Sequence, residues 1–148
     1  MDATGNRVEK AVSFFKEGMN CSQAIVASFC EPLGMDCALG AKVAAGLGGG
    51  MGRMGLTCGA VTGAYVVLGL KYGATTGQDR EAKEKTYQLV REFTARFKAR
   101  NKSIVCRDLL GCDLSTPEGF EESKRRNLHN TICVQLVRDA GEILDELL

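Results

Sequence analysis

Apolar residues recur at intervals of three and four along almost all of this 148-residue chain, and that period specifies helices. Val8, Ala11, Val12, Phe15 and Met19 make one such face, with Thr4 or Asn6 as its expected cap. Gly18 and Asn20 break it. Asn20 then reads as the N-cap of a second helix through Ala24, Ile25, Ala27, Ser28 and Phe29, which Pro32 and Gly34 end. Residues 36–46 are Ala-rich and predicted helical, with Asp36 as cap. A long amphipathic pattern covers 79–101, placing Tyr87, Val90, Phe93 and Phe97 on one face. Its acidic residues come early and its basic ones late, which suits the helix dipole. A short helix from Ser103 to Leu110 should stop at Gly111. Thr116-Pro117-Glu118 supplies a cap followed by proline at the first helical position. The last helix is predicted from about Asn130 or Thr131 onward, turning Ile132, Cys133, Leu136, Val137, Ala140, Ile143, Leu144 and Leu147 inward. The only β-branched cluster, at 66–68, is too short for a strand. The expected fold is all-α, a single compact domain over 1–148 with six to eight helices.

One segment departs from the pattern. Residues 46–55, GLGGGMGRMG, hold six of the eighteen glycines. Glycine costs about 1 kcal/mol relative to alanine inside a helix, so this run should be a loop or a tight bend. Beyond it, no charge occurs between Met54 and Leu70. That stretch is slightly shorter than a bilayer span and contains Thr57, Thr62 and several glycines, so it reads as a buried central helix. Gly59, Ala60, Gly63 and Ala64 give it a side of small residues that a neighbouring helix can approach closely. Gly50, Gly52 and Gly55 formally spell a GxGxxG. A dinucleotide fingerprint needs a preceding strand and an acidic residue about twenty positions on; here a helical stretch precedes, and position 75 is threonine. The glycines are therefore read as steric. Arg53 among them reads as a solvated charge, with a thiolate- or anion-holding role as the alternative.

Cysteine supplies the chemistry. There are seven, an odd number, so no fully paired disulfide framework can close within the chain. The polar start MDATGNRVEK lacks the apolar core of a signal peptide, so a reducing, cytoplasmic setting is expected. A net charge of +1 argues against nucleic acid as a partner. No C-x-x-C occurs, so neither a zinc knuckle nor a local thioredoxin-like dithiol is present. Position is more telling than spacing. Cys21 follows the Asn20 cap, Cys58 follows Thr57, Cys106 lies three residues after Ser103, and Cys133 lies two after Thr131. All four are predicted in the first turn of a helix, where free N–H groups and the dipole stabilise thiolate. Cys30, Cys37 and Cys112 lack that pattern and read as small core residues. His129, the only histidine, lies four before Cys133; it is read as structural, with a ligand or base role as the alternative.

The element Cys58-Gly59-Ala60-Val61-Thr62-Gly63 behind a glycine run, with Cys21 in GMNCSQAIVASF, Cys106 in CRDLLGCDL and Cys133 in CVQLV, resembles the C_GCAxxG_C_C family of redox-active proteins. The resemblance covers nearly the whole chain and picks the same four cysteines. It implies association with transporter loci. Similar domains fused to electron-transfer modules imply an iron–sulfur cluster as one cofactor. Two readings follow. In the first, Cys21, Cys58, Cys106 and Cys133 converge as redox thiols or as metal or iron–sulfur ligands, with Gly55, Gly59 and Gly63 beside the bound group. A cluster needs all four thiolates, whereas thiol–disulfide cycling with an unknown redox partner needs two. In the second, the chain is a non-catalytic module that binds a partner or serves a transporter, and its Gly/Ala-rich helix is a packing or homo-oligomer surface.

Overall fold

Polar side chains cap the starts of four helices in this computed structural model. It describes residues 3–148, with side chains from Asn6 onward. The helices are α1 (Ala3–Lys16), α2 (Cys21–Phe29), α3 (Cys37–Ala44), α4 (Gly59–Tyr72), α5 (Arg80–Asn101), α6 (Cys106–Leu110), α7 (Pro117–Arg125) and α8 (Val134–Leu147). The chain is all-α, 76% helical, with no strand among the described residues. Asp36, Asp79 and Thr116 each accept a hydrogen bond from the backbone N–H three residues on. α1 opens at Ala3, so Asn6 lies within it and not before it; the Thr4 side chain lies outside the described residues.

Asn20 does more than cap. Its carboxamide oxygen accepts from Gln23 N at 2.9 Å, and Gln23 Oε1 accepts in return from Asn20 N at 3.2 Å, a reciprocal capping box. Its Nδ2 donates to Ala45 O at 3.0 Å, tying the start of α2 to the end of α3. Replacing Asn20 with alanine is expected to cost about 1–2 kcal/mol in urea unfolding, while aspartate, which keeps the capping oxygen, loses less.

The apolar stretch after the glycine run becomes α4, and it is central. Ala60, Val61, Ala64, Val67 and Leu68 are fully buried beneath α2, α5 and α8. The small-residue side serves close approach: a Cβ at Gly63 would lie 2.9 Å from Ser22 O and 3.0 Å from Ser22 Cα on α2. That side is therefore consumed within the chain and is not a free surface for a second copy. No helix among the described residues is long and apolar enough to cross a membrane. On α5, Phe93 and Phe97 are buried as expected, but Tyr87 is half-exposed. The first half of α5 runs past the end of the core, so amphipathic spacing there has little to pack against.

Candidate functional site

The glycine run forms a single bent turn, Gly48–Met51, followed by a return to α4. Gly49, Gly50, Gly52 and Gly55 all have φ between 61° and 72°, the left-handed region that glycine tolerates. At Gly50 there is no room either: a Cβ would lie 2.6 Å from Leu56 N and 2.7 Å from Cys106 Cβ. The bend is thus pressed against the start of α6. Residues 56–58 then run antiparallel to 104–106, with Cys58 N donating to Ile104 O at 2.7 Å and Cys106 N to Leu56 O at 2.5 Å. This short bridge sets Cys58, the N-cap of α4, beside Cys106, the first residue of α6. Cys21 is the first residue of α2. Gly59 lies directly under it, where any Cβ would land on Cys21 Sγ.

Cys133 reaches the same place by another route. The final helix is entered through a π turn, His129–Cys133, so Cys133 falls in its second turn and not in the first. The helix-start placement expected for four cysteines therefore holds for three. The extra residue of a π turn re-aims the side chains around it, and such turns are common at functional sites.

All four cysteines line one cavity of about 500 Å³. Its deeper walls are Phe15, Leu110, Leu128 and Leu136, all buried. Its exposed margin carries Arg53, Lys124, Asn127 and His129. His129 stacks on Phe15 with ring centroids 4.1 Å apart.

The four sulfurs are not equivalent. The Cys58 thiol hydrogen-bonds Cys21, and this lowers Cys21 from the ordinary 9.0 to about 6 against the opposing effect of burial. Backbone N–H groups of Gly49, Ser22 and Cys21 itself add to the stabilisation. Cys58 moves the other way, well above the usual thiol value, because it keeps its proton to share with Cys21, is buried, and faces the Cys21 charge. Burial pushes Cys106 and Cys133 up to about 12, with Cys21's negative charge adding to it. The site thus holds one stabilised thiolate, one thiol hydrogen-bonded to it, and two deep neutral thiols.

That inequality bears on metal binding. Among the described residues no group of three or more His, Cys, Asp or Glu could hold a metal ion. The four cysteines share a cavity without crowding into one ligand sphere, so the donors do not fit a single ion as they stand. The close association is between Cys21 and Cys58.

Other sequence candidates find different places. Of the three glycines assigned to the site, Gly59 lines the cavity. Gly63 serves the α2–α4 contact, and Gly55 packs against Asp113, 2.9 Å from its added Cβ. Cys112 packs with Cys106, Leu110 and Leu128 behind the cavity. Cys30 Sγ donates to Ala27 O at 3.5 Å, and burial together with the neighbouring Cys37 pushes Cys30 up to about 11. Their spacing across Pro32 and Gly34 held the signal, since that turn returns the chain on itself. Sequence reading missed Phe120 and Lys124, one turn apart on α7. Their helix was legible from its cap, but the direction of its faces depends on packing.

Residues 19–147 match a protein family described as "Putative redox-active protein (C_GCAxxG_C_C)". No curated protein and no solved structure matches the chain.

Proposed function

The chain belongs to the C_GCAxxG_C_C family of redox-active proteins, and we propose that its redox centre is the Cys21–Cys58 dithiol, working by thiol–disulfide exchange. The observation that carries this reading is that Gly59 brings the start of α4, with Cys58, directly under Cys21 Sγ at the wall of a cavity, where the Cys58 neighbour holds Cys21 below the ordinary thiol value.

The Cys21 thiolate attacks one sulfur of a disulfide substrate. A bond forms between Cys21 Sγ and that sulfur, the substrate S–S bond breaks, and the departing thiolate takes a proton from solvent. In the mixed disulfide Cys21 carries no charge. Two of the three causes that raised Cys58, its hydrogen bond to Cys21 and the Cys21 charge, are then gone. N–H groups of Ala60 and Val61 at the start of α4 favour its thiolate. Cys58 loses its proton to solvent and attacks Cys21 Sγ, the mixed disulfide bond breaks, and the second substrate sulfur leaves as a thiolate that takes a proton from solvent. Overall the substrate disulfide gains two electrons and two protons, and the protein is left with a Cys21–Cys58 disulfide. An external thiol reverses these steps. A stabilised thiolate favours the reduced protein, so this disulfide is more oxidising than one made from thiols of ordinary acidity.

Diamide treatment followed by acid quenching and non-reducing peptide mapping tests the assignment. The expected result is a Cys21–Cys58 disulfide that dithiothreitol reverses, with Cys106 and Cys133 left as thiols. Anaerobically prepared protein carrying stoichiometric iron and sulfide on all four cysteines overturns it in favour of a cluster. Cysteines that neither react nor oxidise overturn it in favour of a non-catalytic module.

A further inference from the structure

The margin of the cavity carries positive charge, and no acid among the described residues lines it. Arg53 and Lys124 both line it, and no aspartate or glutamate does. Among the described residues Arg53 makes no ion pair; its guanidinium lies over the Phe120 ring, 4.6 Å from the centroid. Lys124 Nζ lies 4.3 Å from the centroid of the same ring, and its one ion pair is with exposed Glu121 at 3.7 Å. An exposed pair of that kind contributes little and leaves the ammonium available. Phe120 therefore holds two cations from separate segments, the glycine bend and α7, at the margin of a cavity that also reaches Cys21.

Arg53 is also held in a conformation that non-glycine residues seldom adopt, with φ 63°. The bend that brings Gly50 against Cys106 carries Arg53 on the same turn. A thiolate in the site already draws on N–H donors and on Cys58, and neither cation contributes to lowering Cys21.

We infer that the cavity takes a small disulfide bearing an anionic group, with that anion held between Arg53 and Lys124 while one of its sulfurs meets Cys21. A volume of about 500 Å³ is in the range of small-molecule sites. The inference rests on the dithiol reading and names its substrate class. The covalent chemistry is unchanged: two thiols of the protein become a disulfide and the substrate disulfide becomes two thiols.

The test compares two aromatic disulfides by stopped flow, dianionic 5,5′-dithiobis(2-nitrobenzoate) and neutral 4,4′-dithiodipyridine. Proteins are the wild type, Arg53→Gln, Lys124→Gln, the double variant, Cys21→Ser, and Arg91→Gln as a surface-cation control on α5. Each single replacement at the cavity is expected to slow the dianionic probe about three- to ten-fold relative to the neutral one. The double variant should slow it about thirty-fold, and about 1 M salt should shrink the difference. Arg91→Gln should not alter the ratio, and Cys21→Ser should remove the fast phase with both probes. If Cys21 reacts rapidly but the double variant leaves the ratio unchanged, the anion site is wrong and the dithiol stands. If neither probe shows a fast phase that depends on Cys21, the dithiol reading fails and the inference fails with it. The neutral probe also reports whether each variant keeps the folded site.

Discussion

Replacing Cys58 with alanine is expected to slow alkylation of Cys21 by up to about fifty-fold at pH 5, because the effect of thiolate population outweighs that of nucleophilicity. The Cys58 hydrogen bond is the largest cause lowering Cys21 from 9.0 to about 6. Full return to the ordinary value lowers the thiolate fraction at pH 5 about a thousand-fold. A more basic thiolate is intrinsically about twenty-fold more reactive, which offsets part of that loss. The sign follows from Cys21 being an acid made stronger by folding. In the wild type its reactivity falls as pH drops through about 6; in Cys58→Ala the fall moves upward toward 9.0. Cys58→Ser keeps an O–H donor and should lie between the two. Mass-spectrometric rates of iodoacetamide labelling at Cys21, followed from pH 4.5 to 9.5, provide the measurement. An unmoved midpoint in Cys58→Ala means that backbone N–H groups alone hold the thiolate.

Gly50→Ala is expected to lose about 2–5 kcal/mol of stability, a large part of what a domain of this size possesses. Left-handed φ costs a residue with a Cβ about 1–2 kcal/mol, and forcing atoms into packed space costs about 1–3 more. Here the obstructing atoms are Leu56 N at 2.6 Å, Gly55 C at 2.8 Å and Cys106 Cβ at 2.7 Å, two of them backbone, which cannot swing aside. Urea unfolding measures the loss. The same substitution should displace Cys106 from the cavity, so thiol accessibility there should change even where the variant remains folded. Gly52→Ala meets nothing within 4 Å and should show the conformational cost alone. Similar losses in the two variants are evidence against tight packing at Gly50.

The glycine run shows how far sequence reading reaches. Its composition predicted a bend or close approach, and both occur at Gly50. It did not predict that Gly55 would pack on Asp113 while Gly50 packs on Cys106, because the partner of a glycine is chosen by distant chain. The cysteines divide in the same way. The helix start at Cys21 was legible from Asn20, since capping is local chemistry; Thr57 and Ser103 marked the neighbourhood of the next two starts without capping them, because Cys58 and Val105 stand at those N-caps. Cys133 was misplaced by a turn, because Leu128 packs in the core and draws the helix start back to it, leaving a π turn that no residue pattern announces. Cys30 and Cys37 read as separate small core residues, yet the turn through Pro32 and Gly34 brings them together.

Sequence alone determined most of the helices, the caps at Asn20, Asp36 and Thr116, and the bend, because period, capping and glycine conformation act over a few residues. Only the tertiary structure decided which cysteines share a cavity and which two lie side by side in it. Cys21 and Cys58 are 37 positions apart in the chain. They come together because α2 and α4 meet at residues too small to keep them apart.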